Sequence, residues 1–140
     1  MRTIKPRNIY VAALILISAI LSAYIAYNSY QGGTACFGGT DCNIVQNSSY
    51  GSLFGIKVSL LGATALSILF LSYILSYSDY PRYKIYYFLS LLSALCSLGF
   101  ISIQAFILHA WCSSCLVVDL LIILIFIFST IEYARLRKYY

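Results

Sequence analysis

Two cysteines separated by two serines, Cys112-Ser113-Ser114-Cys115, interrupt an otherwise apolar stretch near the end of the chain. Thiols three residues apart in the first turn of a helix share a face. The unpaired N–H groups of a helix N-terminus carry partial positive charge and favour a thiolate there. A dithiol so placed is easily oxidised and reduced. A second pair, Cys36 and Cys42, encloses five residues in a segment holding Gly32, Gly33, Gly38 and Gly39. Disulfides move by thiolate attack on sulfur, so a pair on a flexible tether can collect electrons and hand them to a fixed pair. The glycines supply that freedom. Cys96 stands alone inside an apolar run and reads as a small packing residue.

The elements that position these thiols are those of a membrane protein. Of the 140 residues, 61% are hydrophobic and only 9% charged, against roughly 25% charged in ordinary globular chains. The expected fold is an all-α integral membrane bundle of four helices. Spans are expected over about 9–30, 58–77, 85–110 and 112–131, within one domain over 1–140. The first, from Ile9 to Tyr30, carries no charge; at ~1.5 Å per residue it reaches ~33 Å, enough for a ~30 Å bilayer core. A cleaved signal peptide is the competing reading, but the run exceeds the usual ~7–15 residues and no A-x-A site ends it. The loop over 31–57 is the one substantial polar stretch, and its second half has the composition of a short interfacial helix. Ser59, Gly62 and Ala63 open the second span with side chains small enough for close helix contact. Pro81 suits a tight turn between the second and third spans.

Charge sets the expected orientation. Of nine Lys and Arg, three lie in the head (Arg2, Lys5, Arg7), two at the turn (Arg82, Lys84) and three in the tail (Arg135, Arg137, Lys138). Only Lys57 lies on the other side. The positive-inside rule then puts both termini and the Pro81 turn in the cytoplasm and both cysteine pairs outside. The net charge of +5 is therefore a topology signal rather than a nucleic-acid footprint. Outside the cytoplasm disulfides persist. Two static structural disulfides would account for the same four cysteines, and so would a four-Cys zinc site. Asp119, the one acid inside a span, follows Cys115 by one turn and shares its face. An ionisable group there is costly and marks either a proton relay or an interior hydrogen bond. His109, just before the pair, could stabilise a thiolate but is expected at the interface, with Trp111 and an aromatic belt of Tyr24, Tyr27, Tyr30, Tyr77, Tyr80 and Tyr83 near the span ends.

Together the loop pair, the segment Ser52-Leu53-Phe54-Gly55 followed by Leu60-Leu61-Gly62, and the Cys112-x-x-Cys115 opening the last span resemble the vitamin K epoxide reductase family. The resemblance covers about residues 9–131. It implies a four-helix bundle holding a quinone near the outer surface, and a quinone-dependent thiol–disulfide oxidoreductase. Cys115 would lie next to the quinone, with Cys112 its resolving partner. Cys42 would exchange with Cys112, and Cys36 would receive electrons from a thioredoxin-like or DsbA-like partner. Ser52 and Phe54 would flank the quinone, while Asn47, Tyr50 or Asp119 would supply the polar contact that many members carry. Family members known from bacteria are often fused to a thioredoxin domain; this chain stops at Tyr140, so a separate partner protein is expected. The Ile- and Tyr-rich spans with Lys/Arg flanks are in keeping with a prokaryotic, archaeal-type member. A DsbB-type oxidase also has four spans and two outer pairs, but there the Cys-x-x-Cys precedes the other cysteines. A non-enzymatic membrane protein with structural disulfides is the alternative from another class.

Overall fold

The computed structural model describes residues 9–33, 36, 41–76 and 80–139. The basic head, Gly38, Gly39 and Tyr77 lie outside the described residues. Four helices are long and apolar enough to cross a membrane. They are α1 (Ile9–Tyr30), α3 (Val58–Leu75), α4 (Tyr80–Ser102, extended by a π-helical segment over Ile103–Leu108) and α5 (Ser113–Tyr139). The short α2 (Cys42–Asn47) and a two-stranded hairpin, β1 (Ser52–Leu53) and β2 (Ile56–Lys57), fill the connection between α1 and α3.

The four long helices close into a ring, α1 against α3, α3 against α4, α4 against α5 and α5 back against α1. All four feed one core, with Val11 and Ile15 from α1, Leu66 and Leu69 from α3, Tyr83 and Tyr86 from α4, and Val118 and Ile125 from α5. Leu71, Phe88, Leu95 and Leu120 point outward, as lipid-facing residues of an integral membrane bundle do. The small residues at the head of α3 do bring two spans together. Ser22 Oγ on α1 donates to Ser59 O at 2.9 Å, and a Cβ on Gly62 would stand 3.1 Å from that hydroxyl.

Several boundaries differ from those expected. The helix of the third span begins at Tyr80 rather than near 85, with Pro81 in its first turn, where a residue without an N–H forfeits no intrahelical bond. Helix α5 runs on to Tyr139 because Leu136 still packs on the core, and Arg137 and Lys138 in its last turn oppose the negative end of the helix dipole. Tyr83 is 1% exposed and belongs to the interior rather than to an aromatic belt; Tyr24, Tyr27 and Tyr30 are exposed as expected. Cys96 is exposed rather than packed in the core.

The hairpin was not expected. Ser52 pairs with Lys57 and Leu53 with Ile56. Phe54 and Gly55 form the turn, with φ of 52° and 81°, the two positive values that a type I′ turn requires. Gly51 ties the hairpin to α2: its N–H donates to Ser48 O at 2.9 Å and its carbonyl accepts from Val58 N at 3.0 Å. A Cβ at Gly51 would collide with the main chain of Val45 and Gln46, which cannot yield as a side chain would. Gly51→Ala is therefore expected to push α2 off its seat, costing roughly 1–3 kcal/mol and lowering the thermal midpoint in detergent. An unchanged midpoint, together with unchanged protection of Val45 and Gln46 amides from exchange, would show that this contact does not hold α2.

Candidate functional site

The break between the last two spans is built from hydrogen bonds to one residue. After the π-helical segment, His109 turns into the left-handed region at φ 48°, and its N–H bonds to Gln104 O. Ala110 N donates to the same carbonyl at 3.3 Å. The side-chain Oε1 of Gln104 accepts from Cys112 N at 3.1 Å. The buried Gln104 thus satisfies three N–H groups of the connection, those of His109, Ala110 and Cys112, and fixes where Cys112 stands.

Cys112 sits at the head of α5. Leu116 N donates to its carbonyl at 2.9 Å, and Cys115 N approaches its sulfur at 3.3 Å. The sulfur therefore occupies the place of an N-cap acceptor. Cys112 and Cys115 are joined as a disulfide with Cα atoms 5.2 Å apart, and Cys36 and Cys42 form another with Cα atoms 6.0 Å apart. The two pairs adjoin. Cys42, Val45, Ala110 and Cys112 form one buried cluster, with Cys36, Leu108 and Cys115 packed against it. Ser113, between the two cysteines of the motif, places its Oγ 3.8 Å from both Cys36 Sγ and Cys42 Sγ. Cys42 is 1% exposed, whereas Cys36 is only partly covered.

On the membrane side of the pair lies a cavity of about 630 Å³. Cys115 lines it and Cys112 does not. Its walls are mainly apolar, with Val45, Leu61, Leu66, Phe100, Ile103 and Ile122 among them. The polar groups facing it include Ser22 and Ser29 of α1, Gln46 of α2, Ser49 and Tyr50 of the turn after it, Ser59 of α3, Ser93 and Ser97 of α4, Gln104 of the π-helical segment and Asp119 of α5. Cys96 and Lys57 also reach it. Ser97 hydrogen-bonds Asp119 across the α4–α5 interface.

Of the residues expected to flank a ligand, the structure brings Tyr50 and Asp119 to this cavity and leaves three out. Ser52 is exposed and off the wall, because strand alternation turns it away while its neighbours Gly51 and Leu53 face in. Phe54 is 97% exposed at the tip of the hairpin. Asn47 points outward and hydrogen-bonds Asn43 one turn back. Sequence reasoning missed Gln46, Ser49 and Gln104. Gln46 is buried, its Nε2 lies 3.9 Å from Cys112 Sγ, and its Oε1 has no hydrogen-bond partner. The sequence signal was an amide four residues after Cys42, on the same face of α2 as that cysteine.

A four-span bundle with two adjoining dithiol pairs at one end and a cavity beneath them defines a membrane-embedded redox protein. The chain matches the model of the vitamin K epoxide reductase family over residues 9–130 and belongs to that family. It is accordingly a membrane thiol–disulfide oxidoreductase. The family generally uses a quinone and is linked to thioredoxin-like partners. No curated protein matches the chain closely enough to count as a relative.

Replacing Gln104 by Leu removes the acceptor for a buried N–H and frees Cys112 to drift. The expected result is a fall in thiol oxidation rate of about tenfold or more, since a ~1 Å misplacement can cost ~100-fold. Gln104→Glu keeps the acceptor and should recover most of the rate. Equal rates in wild type and Gln104→Leu would remove Gln104 from the positioning of the motif.

Proposed function

We propose that the protein oxidises a thioredoxin-like or DsbA-like partner and passes the electrons to a membrane quinone, supporting disulfide formation in exported proteins. The observation that carries this reading is the division of labour within the motif. Cys112 is buried against Cys42, while Cys115 faces an apolar cavity inside the membrane bundle. We further propose that both termini are cytoplasmic and the cysteines face outward, from the distribution of Lys and Arg.

The order of exchange follows from exposure. Cys36, the more accessible of its pair, meets the partner's thiolate, and a second partner thiol resolves the mixed disulfide to leave Cys36 and Cys42 reduced. The Cys42 thiolate then attacks Cys112 Sγ, breaking the Cys112–Cys115 disulfide and releasing Cys115 as a thiolate. Cys36 attacks Cys42 in turn, restoring the loop disulfide and freeing Cys112. Two electrons have moved and each sulfur has gained or lost one bond. Ser113 Oγ, near both loop sulfurs, can hold a proton-donating contact to whichever of them leaves.

The cavity fits a quinone. Its volume lies in the ~300–1,000 Å³ range of small-molecule sites, its walls suit a ring and an isoprenoid tail, and Gln46 carries an Nε2 that can donate to a quinone carbonyl and an unpaired Oε1 that can accept from a hydroxyl of the quinol. Gln46, Tyr50 and Asp119 would hold the head group beside Cys115. When bound, the quinone accepts two electrons and two protons and leaves as the quinol. Gln46 orients the oxygen-bearing edge, the apolar walls exclude water, and Asp119 holds a proton within the cavity.

The relay is tested by removing from each pair the sulfur that does not take part in the exchange between pairs. Cys36→Ser with Cys115→Ser should accumulate a Cys42–Cys112 disulfide, detected by mass spectrometry of non-reduced peptides. Failure to form that crosslink at any redox potential would overturn the proposed order. Gln46→Leu should raise the KM for a short-chain naphthoquinone about tenfold, the cost of one buried hydrogen bond, with a smaller change in kcat. An unmoved KM would take Gln46 out of the binding site.

A further inference from the structure

The interface of α4 and α5 carries a line of polar groups that the thiol relay does not use. It starts at Glu132, which is 8% exposed. Glu132 follows Cys112 by 20 residues, or about 30 Å along a helix, so it stands at the far edge of the bilayer core. Tyr83 OH lies 3.1 Å from Glu132 Oε2 and 3.1 Å from Ser129 O. One turn further in, Tyr86 OH lies 2.6 Å from Ser129 Oγ. One turn beyond Tyr86 comes Ser90 Oγ, which is buried and has no hydrogen-bond partner among the described residues. Ser93, the next turn of α4, already lines the cavity, as do Ser97 and its partner Asp119.

Adhesion between membrane helices accounts for Tyr86 and Ser129. It does not account for a carboxyl group buried at one end of the line, nor for a hydroxyl left unpaired in its middle. Both are costly in an apolar interior. Polar groups one turn apart, about 5–6 Å, are close enough for one bridging water to pass a proton between them, and the line ends in a carboxyl group at each extremity.

We infer that this line conducts protons from the end of the bundle opposite the cysteines to Asp119, so that quinone reduction draws its protons from that side of the membrane. The inference rests on the quinone-reducing reading of the cavity. Oxidation of Cys112 and Cys115 to the disulfide forms one S–S bond and releases two electrons and two protons. The electrons go to the quinone and the thiol protons leave to water at the cysteine end. The two protons that complete the quinol arrive through Glu132, Tyr83, Tyr86, Ser90 and Asp119. Each turnover then moves positive charge across the membrane, and thiol oxidation becomes a generator of a proton gradient.

Full-length protein in liposomes with a trapped pH dye tests this, with potassium and valinomycin to collapse the potential. Reduced thioredoxin, which cannot cross the membrane, is added outside with a short-chain naphthoquinone. It drives only molecules whose cysteines face out, so the lumen faces Glu132. The expected result is lumenal alkalinisation in step with quinone loss, two protons per quinone. Glu132→Gln and Tyr86→Phe, the second of which keeps the ring packed on Tyr73 and Tyr83, should lose the alkalinisation per quinone reduced. Quinone loss with constant lumenal pH, or full alkalinisation in both variants, overturns the proton line while leaving the thiol relay standing. Absence of any quinone loss in the wild type overturns the reading of the cavity, and the proton line with it.

Discussion

The hydrogen bond from Cys112 N to the side chain of Gln104 is the contact on which the site depends. Two spans must part where the redox motif begins, and a chain that breaks at the membrane surface exposes main-chain groups that want partners. The π-helical segment widens the end of the third span, His109 reverses direction, and the Gln104 amide and carbonyl take up the N–H groups that result. Cys112 is thereby buried on the side of α2, and Cys115, one turn later and bonded to it, is delivered to the wall of the cavity. The asymmetry between two chemically identical thiols is a product of that single junction.

From there the two halves of the site serve different solvents. Toward the loop, sulfur meets sulfur across Ser113, in a mainly apolar cluster that the side-chain amides of Gln46 and Gln104 also reach. Toward the bundle, the cavity is greasy and mostly walled by helices whose outer faces also carry apolar residues. Gln46 is the residue common to both: its Nε2 approaches Cys112 while its Oε1 remains unsatisfied. In an apolar setting an unpaired acceptor costs about 1–3 kcal/mol, a cost that a ligand with a donor would relieve.

Much of the scaffold was legible because hydropathy and charge report directly on it. The absence of charge over Ile9–Tyr30 and the clustering of Arg and Lys at the ends are whole-segment properties, and the span fell where they indicated. The cysteine pairs were legible because few residue types at that spacing have an alternative use. The cavity wall was not. Ser52 and Phe54 were expected at the wall from the family resemblance, but Ser52 lies on a two-residue strand that turns it outward and Phe54 lies in the hairpin turn, and no pattern that short declares itself. Gln46 and Gln104 look like ordinary polar residues until α2 and the π-helical segment are placed. Tyr83 resembled a headgroup anchor because it follows a basic turn; only the packing of α4 on α5 shows that it faces Glu132.

The central claim is that the Cys112–Cys115 pair alone passes electrons to the acceptor, through Cys115, with Cys36 and Cys42 only feeding it. Single-turnover stoichiometry addresses it directly. A Cys36→Ala, Cys42→Ala protein, fully reduced and freed of reductant, is mixed with excess naphthoquinone and followed by quinone absorbance. The account predicts that one quinone is consumed per chain and the reaction then stops, with the Cys112–Cys115 disulfide formed. No quinone loss in that variant, or undiminished loss when Cys112 and Cys115 are replaced instead, would contradict it.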